Sequence, residues 1–310
     1  MESLAVVLEG PGDLAVRSLP LSGDADDHVV VAVEWSAIST GTERLLYEGK
    51  MPPFPGMGYP LVPGYESVGR VIRADAKRTL QEGDRVFVPG ASCFGDVRGL
   101  FGGAASRLVV PASRVARIGD LGEEGVLLAL AATARHALAG DARGPELIVG
   151  HGVLGRLLAR ISVALGGSPV VWEKNLSRHE GAHGYRVIDP ASDPRKDYRS
   201  IYDVSGDASL VEPLLGRLAR GGELVLAGFY SDPISFAFPI AFMREARLRV
   251  AAEWQPADLA AVVALATSGE LSLSGLITHR AAPTDAARAY ATAFTDPSCL
   301  KMLIDWRSAE

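Results

Sequence analysis

Short apolar runs broken by Gly, Pro and Asp fill the first third of the chain. Leu4 to Leu8, His28 to Ser36, Gly69 to Arg73, Asp84 to Val88 and Ser106 to Pro111 read as β-strands. They predict an all-β barrel or sandwich to about residue 118. Within it MPPFPGMGYPLVPGY, Met51 to Tyr65, holds too much Pro and Gly for a regular element and predicts an ordered apolar loop. From about Glu123 the spacing becomes helical, in EEGVLLALAATARHALAG. Strands and helices then alternate. Strands are predicted at Glu146 to Val149, Val170 to Glu173, Arg186 to Asp189, Ser200 to Val204, Glu223 to Gly228 and Leu248 to Glu253. Between them lie a helix after Gly155, a short basic helix from about Asn175, a helix over Ala208 to Leu218 and a turn at Arg220-Gly221-Gly222. Such alternation predicts a doubly wound parallel sheet. Helices over Ala257 to Thr267 and Thr284 to Phe294, a strand at Ile277 to His279 and a last strand, CLKMLIDW, complete the pattern. No internal repeat is present.

The stretch IVGHGVLGR, Ile148 to Arg156, joins a strand end to a helix through Gly150-x-Gly152-x-x-Gly155. The second strand, Pro169 to Trp172, ends in Glu173. This order is the dinucleotide fingerprint. Gly150 allows the tight turn, Gly152 lets the pyrophosphate approach the backbone, and Gly155 lets helix and strand pack closely. The free N–H groups and positive end of the helix face the phosphates. His151, Val153 and Leu154 belong to the same turn, and Ser205 and Gly228 follow two later strands; all five are cofactor-binding candidates. Glu173 accepts from the ribose hydroxyls and repels a 2′-phosphate, which favours NAD over NADP. Lys174 and Arg178 close by read as solvated surface charge.

Composition narrows the class. The chain has 310 residues, 48% hydrophobic and 22% charged, which is globular and enough for two cores. A net charge of -6 without a basic cluster argues against nucleic acid. No apolar run is long enough for a membrane span, and the N-terminus lacks the basic region of a signal peptide. Only two cysteines occur, Cys93 and Cys299, which excludes a disulfide scaffold and predicts a reduced, cytoplasmic protein.

The blocks VEWSAISTGTERLLYEG, PLVPGYESVGRV, QEGDRVFVPG, FGGAASRLVVP, LAATARHAL, the fingerprint and LARGGELVLAGFY resemble the medium-chain alcohol dehydrogenase superfamily over the whole chain. ISTGTERLLYEGKMP, YPLVPGYESVG, YDVSGD, LAGFY, AAEW, GLITHR and CLKMLIDW more narrowly resemble its bacteriochlorophyllide a dehydrogenase branch. The resemblance implies an α/β chain with a GroES-like β-barrel catalytic domain over 1–118 and a Rossmann-type doubly wound parallel sheet over 119–255. A segment over 256–310 returns towards the catalytic domain. It implies an NAD-dependent secondary alcohol dehydrogenase oxidising the 3-(1-hydroxyethyl) group of a bacteriochlorophyllide to 3-acetyl, and a homodimer joined through nucleotide-domain edge strands.

Zinc-dependent members carry a cysteine in the first block and Gly-His-Glu in the second. Here Ser39-Thr40-Gly41-Thr42-Glu43 and Gly64-Tyr65-Glu66 stand at those places. Hydroxyls and acids do not make the N/S ligand set that Zn²⁺ prefers, so the catalytic domain is read as metal-free. Without a Lewis acid another group must take the alcohol's proton. Tyr65, at the place of the lost histidine, is the first candidate as phenol or phenolate, provided that a positive charge such as oxidised nicotinamide lowers its pKa. Ser39, Thr40 and Thr42 are candidates to bond the reacting oxygen or relay the proton, and Glu43 or Glu66 to orient it or act as base. A carbinol carbon attached to a conjugated macrocycle eases hydride loss, which suits metal-free chemistry. A flat tetrapyrrole also requires a wide apolar slot between the domains. Phe94, Phe101, Phe229, Tyr230, Phe236, Phe238 and Phe242 are candidate liners. Two rival readings are a zinc-free NADPH-dependent quinone or enoyl reductase and a catalytically inactive NAD-binding protein.

Overall fold

In a computed structural model that describes all residues except 24, 54, 141–143 and 309–310, the apolar runs become strands wherever one face is buried. Two compact units result, Met1–Ala129 with Leu273–Glu310, and Leu130–Ser272. The first boundary falls later than residue 118 because Glu123–Leu127, a 3-10 turn, buries Gly125, Val126 and Leu127 within the β-rich unit. The second falls later than 255 because the helix Pro256–Thr267 stays in the α/β unit.

The β-rich unit contains a seven-stranded sheet. Its path runs His279–Ala281, Met302–Asp305, His28–Ile38, Ser67–Arg73, Arg85–Val88, Ala116–Arg117, with Arg107–Pro111 paired to His28–Ile38. A four-stranded sheet of Asp13–Pro20, Glu2–Gly10, Leu61–Val62 and Arg98–Gly99 accompanies it. The long strand His28–Ile38 is the hub, and Val29, Val30, Val31 and Val33 bury into one apolar core shared with Met302, Ile304 and Trp306. The C-terminal residues therefore complete the core of the first domain: Met302 lies opposite Ile38 in an antiparallel pair.

The α/β unit is a six-stranded parallel sheet in the order Arg186–Ile188, Val170–Trp172, Leu147–Val149, Tyr198–Asp203, Leu218–Leu226, Arg247–Val250. The order reverses beside Leu147–Val149, which is the switch point where doubly wound folds bind ligands.

Several local expectations need correction. The basic helix after Asn175 is only a 3-10 turn, Leu176–Arg178, capped by the Asn175 side chain. The helix expected over Ala208 to Leu218 is a 3-10 turn, Ala208–Leu210, and a short helix, Val211–Leu215. The Arg220-Gly221-Gly222 turn instead lies inside the strand Leu218–Leu226, where the register with Tyr198–Asp203 shifts and Gly221 takes φ +73°. The segment ISTGTERLLYEG hides a helix, Thr42–Tyr47, and DLAVRSLP a strand, Asp13–Pro20. Phe94 is packed in the barrel core, so it is not a liner. Phe54 of the Pro/Gly loop lies outside the described residues.

Candidate active site

The hub strand delivers the site. Ser36 lies opposite Ser67, so the residues that follow Ser36 run beside those that precede Ser67. Ser39 Oγ and the Tyr65 hydroxyl are consequently 2.8 Å apart, and the Thr42 side chain is near enough to pull the phenol's pKa down. Phe101 packs edge-on against the Tyr65 ring with centroids 5.5 Å apart. Two buried carboxyls stand behind these hydroxyls. Glu43 accepts the Ser39 N–H at 3.0 Å and the Tyr290 hydroxyl at 2.6 Å. Glu66 accepts the Lys301 ammonium at 2.7 Å, while its Oε1 is buried with no hydrogen-bond partner among the described residues. Lys301 Nζ also donates to the Ile38 carbonyl at 3.3 Å. Of the sequence candidates, Ser39, Thr42, Glu43, Tyr65 and Glu66 thus gather in one place. Thr40 is exposed, and no hydrogen bond of this cluster runs to it.

Electrostatics assign different states to these groups. Burial, with the Glu66 and Glu43 carboxyls adding to it, pushes the Tyr65 phenol above its ordinary pKa. Of the two expected forms, phenol or phenolate, the protein's own groups favour the neutral phenol, and the phenolate requires the coenzyme's charge. Burial also raises Glu66, against the pull of Lys301. Glu43, whose donors are neutral, is pushed by burial from 4.5 to about 7.

The shift at Glu43 carries a stability consequence. Between about pH 4.5 and 7 the unfolded chain bears this charge and the folded chain does not. The contribution is complete below the unfolded value and is lost as pH rises through the folded one. Wild-type protein is expected to lose roughly 3 kcal/mol between pH 5 and 8 from this group, and Glu43→Gln to escape that loss. Denaturant melts at both pH values test this; parallel losses in the two proteins would refute it.

In the α/β unit the turn after Leu147–Val149 is built as the fingerprint requires. Gly150 takes φ +107°, and a Cβ on Gly155 would lie 1.9 Å from the Gly150 carbonyl oxygen. Gly152 starts the helix Val153–Ala164 with no side-chain cap, so first-turn N–H groups are left for a ligand. A Cβ on Gly150 would touch Val204 and Ser205, and one on Gly228 would press on Gly206, so these loops converge at the carboxyl end of the sheet. Glu173 folds back over the turn, accepting the His151 N–H at 3.2 Å and the Asn175 N–H at 2.8 Å.

The His151 ring does not point outward. It is fully buried, with Nδ1 2.6 Å from the Arg178 carbonyl and Nε2 2.8 Å from the Tyr185 hydroxyl. Burial pushes the imidazole down to about 4, so the side chain is a neutral structural link with both nitrogens engaged inside the protein. Beside it Arg156 is buried on the His151 and Arg178 carbonyls. His136 Nδ1 lies 2.8 Å from the Asp258 carboxylate.

A model of the alcohol dehydrogenase GroES-like domain matches residues 25–120, the part that holds the hydroxyl cluster. L-idonate 5-dehydrogenase from Escherichia coli shares the fold with a TM-score of 0.85 at 19% identity, covering 98% of each chain. The 2-desacetyl-2-hydroxyethyl bacteriochlorophyllide A dehydrogenase of Cereibacter sphaeroides is 59% identical over 99% of both chains. That of Rhodobacter capsulatus is also 59% identical, over 100% of both. The chain belongs to this bacteriochlorophyllide dehydrogenase family. It is accordingly an oxidoreductase of the medium-chain type, a GroES-like domain followed by a Rossmann sheet. Among the described residues no helix is long and apolar enough to cross a membrane.

Two residues that touch this cluster in the bacteriochlorophyllide dehydrogenase chain escaped the sequence reading, Tyr290 and Lys301. Both come from the returning C-terminal segment, far from the Ser39 and Tyr65 blocks. Lys301 left one signal, a basic residue set among the apolar residues of CLKMLIDW. A buried Lys in such a run requires a partner.

Proposed function

We propose that the chain oxidises the 3-(1-hydroxyethyl) group of a bacteriochlorophyllide to 3-acetyl, with NAD⁺ as acceptor, in bacteriochlorophyll synthesis. The observation that carries this is the full-length 59% identity to two dehydrogenases named for a hydroxyethyl bacteriochlorophyllide. The carbinol carbon gives up a hydride, its oxygen gives up a proton, and the C–O bond becomes a carbonyl. Bound nicotinamide supplies the hydride acceptor.

The proton is the task of the protein's own groups. Ser39 and Tyr65, with Thr42, bond the alcohol oxygen and pass its proton, each hydroxyl taking one proton as it gives another. Hydroxyls that stay neutral relay charge but do not store it. The relayed proton therefore leaves to water, while Glu43, near 7, stands behind the relay, its two oxygens taken by the Ser39 N–H and the Tyr290 hydroxyl. Thr40, exposed at the edge of the same turn, can only contribute from outside this network. Among the described residues no three His, Cys, Asp or Glu side chains are grouped to hold a metal ion, and this donor set supports a reaction without zinc.

Gly150, Gly152 and Gly155, with the backbone of His151, Val153 and Leu154, cradle the dinucleotide phosphates in this reading, and Ser205 and Gly228 flank them. The Glu173 carboxylate, held by two backbone N–H groups, keeps lone pairs for ribose hydroxyls and supports NAD over NADP. The edge strand Arg247–Val250 exposes Leu248 and Val250 near the sequence of Phe238, Phe242 and Met243, also exposed, which supports a homodimer across that edge. The two buried free cysteines suit a reducing cytoplasm.

The test is an assay of purified protein with a 3-hydroxyethyl bacteriochlorophyllide. Added NAD⁺ is expected to shift the long-wavelength absorption of the macrocycle, NADP⁺ to serve about tenfold less well or worse, and exhaustive chelation to leave the rate unchanged. No spectral change with either coenzyme, or strict dependence on added zinc, would overturn the reading.

A further inference from the structure

Lys301 sits one residue before the strand Met302–Asp305, and that strand pairs with the end of the hub strand at Ile38. The pairing brings its side chain beneath the hydroxyl cluster, where it is 2% exposed. The ammonium donates to the Ile38 carbonyl at 3.3 Å and to Glu66 Oε2 at 2.7 Å. Ile38 directly precedes Ser39, and Glu66 directly follows Tyr65. One cation therefore ties together the two backbone segments whose hydroxyls are 2.8 Å apart.

We infer that Lys301 is a positioning residue of the oxidation: it clasps the Ser39 and Tyr65 segments and supplies the fixed positive charge of a site that carries two buried carboxyls. This rests on the reading that the Ser39–Tyr65 pair handles the alcohol's proton. Two physical reasons support it. A buried acid pair cannot ionise fully without a nearby cation, and Lys301 is the ammonium in contact with one of them. Secondly, a relay of hydroxyls works only at hydrogen-bond distance, and Lys301 fixes that distance from a strand outside both segments. The remaining groups facing this charge are Glu43 with its partner Tyr290, Glu66 and Tyr65 itself. Loss of the cation raises both carboxyls together, so the pH dependence of the reaction reports on it directly.

The experiment uses the full-length protein and four variants: Lys301→Met, Lys301→Arg, Lys301→Met with Glu66→Gln, and Tyr65→Phe. Rates of hydroxyethyl oxidation are measured from about pH 6 to about pH 9, with NADH affinity by fluorescence as a control. Lys301→Met is expected to move the acid limb of kcat upwards by about one unit and to lower kcat at neutral pH by about tenfold, with NADH affinity unchanged. Lys301→Arg, which keeps a cation, is expected to return the limb towards the wild-type position. The double variant buries no unpaired charge, so it decides the matter if Lys301→Met does not fold; its kcat is expected to stay about tenfold low because the two segments are untied. Wild-type kcat and an unmoved limb in the folded Lys301 variants would overturn the assignment, as would a fall in melting temperature alone. If Tyr65→Phe keeps wild-type kcat, the hydroxyl-pair reading itself fails. If Tyr65→Phe is inactive while the Lys301 variants are normal, only the assignment of Lys301 fails.

Discussion

Tyr65→Phe is expected to lower kcat for hydroxyethyl oxidation by about 10²- to 10³-fold, the usual worth of a positioned proton-transfer group. The change removes one oxygen and leaves the ring, so the edge-on contact with Phe101 survives. Ser39 Oγ loses the partner it has at 2.8 Å, which costs about 1 kcal/mol of stability, too little to unfold a domain. Nicotinamide coenzyme affinity should not change, because the glycine turn lies in the other compact unit. The fall should appear in kcat, since a proton transferred only as the reaction proceeds does not hold the ground-state substrate. Ser39→Ala is expected to behave similarly but less severely, as Thr42 still reaches the phenol. A Tyr65→Phe protein that retains more than about half of wild-type kcat would leave proton transfer to Ser39, Thr42 or a carboxyl, and Tyr65 would become a packing residue.

Much of this was legible in the sequence because it rests on local order. The fingerprint depends on three glycines at fixed spacing between a strand and a helix, and each of the three has the geometric reason for glycine, or the open space, that the motif implies. The hydroxyl and acid candidates near Ser39 and Tyr65 were identified in two separate blocks, and the antiparallel register of His28–Ile38 with Ser67–Arg73 is what brings them together. What could not be read was set by long-range packing. Tyr290 and Lys301 meet Glu43 and Glu66 across sequence separations of 247 and 235 residues, and no periodicity records such a contact. Which form Tyr65 takes could not be read for the same reason: burial, and the signs of the charges around Tyr65, are properties of the folded site. The His151 side chain is a different case. Position within the fingerprint pointed it at the ligand, but the short loop after Asn175, which replaces a helix, brings the Arg178 carbonyl and Tyr185 onto both ring nitrogens.

The glycine turn separates two roles that a single motif usually confounds, and substitutions there should have large and opposite signatures. A Cβ on Gly155 would stand 1.9 Å from the Gly150 carbonyl oxygen and 3.2 Å from a Val204 methyl. The first of these is backbone of the tight turn that follows the central strand Leu147–Val149 and cannot swing aside, so Gly155→Ala is expected to cost about 3 kcal/mol and to abolish coenzyme binding with it. Gly152 is the reverse case. Its φ of -74° suits any residue, and a Cβ there meets nothing within 4 Å. Gly152→Ala should therefore fold with stability within about 0.5 kcal/mol of wild type. If the open space is where the pyrophosphate nears the backbone, the added methyl costs about 1–3 kcal/mol of binding, roughly a 5- to 150-fold rise in Kd for NADH. Thermal melts without coenzyme and fluorescence titration with it distinguish the two effects. A Gly152→Ala protein that binds NADH as wild type does would mean that phosphate does not approach this face of the turn. The coenzyme site would then have to rest on the Ser205 and Gly228 loops, whose close approach to Gly150 and Gly206 leaves far less room for it.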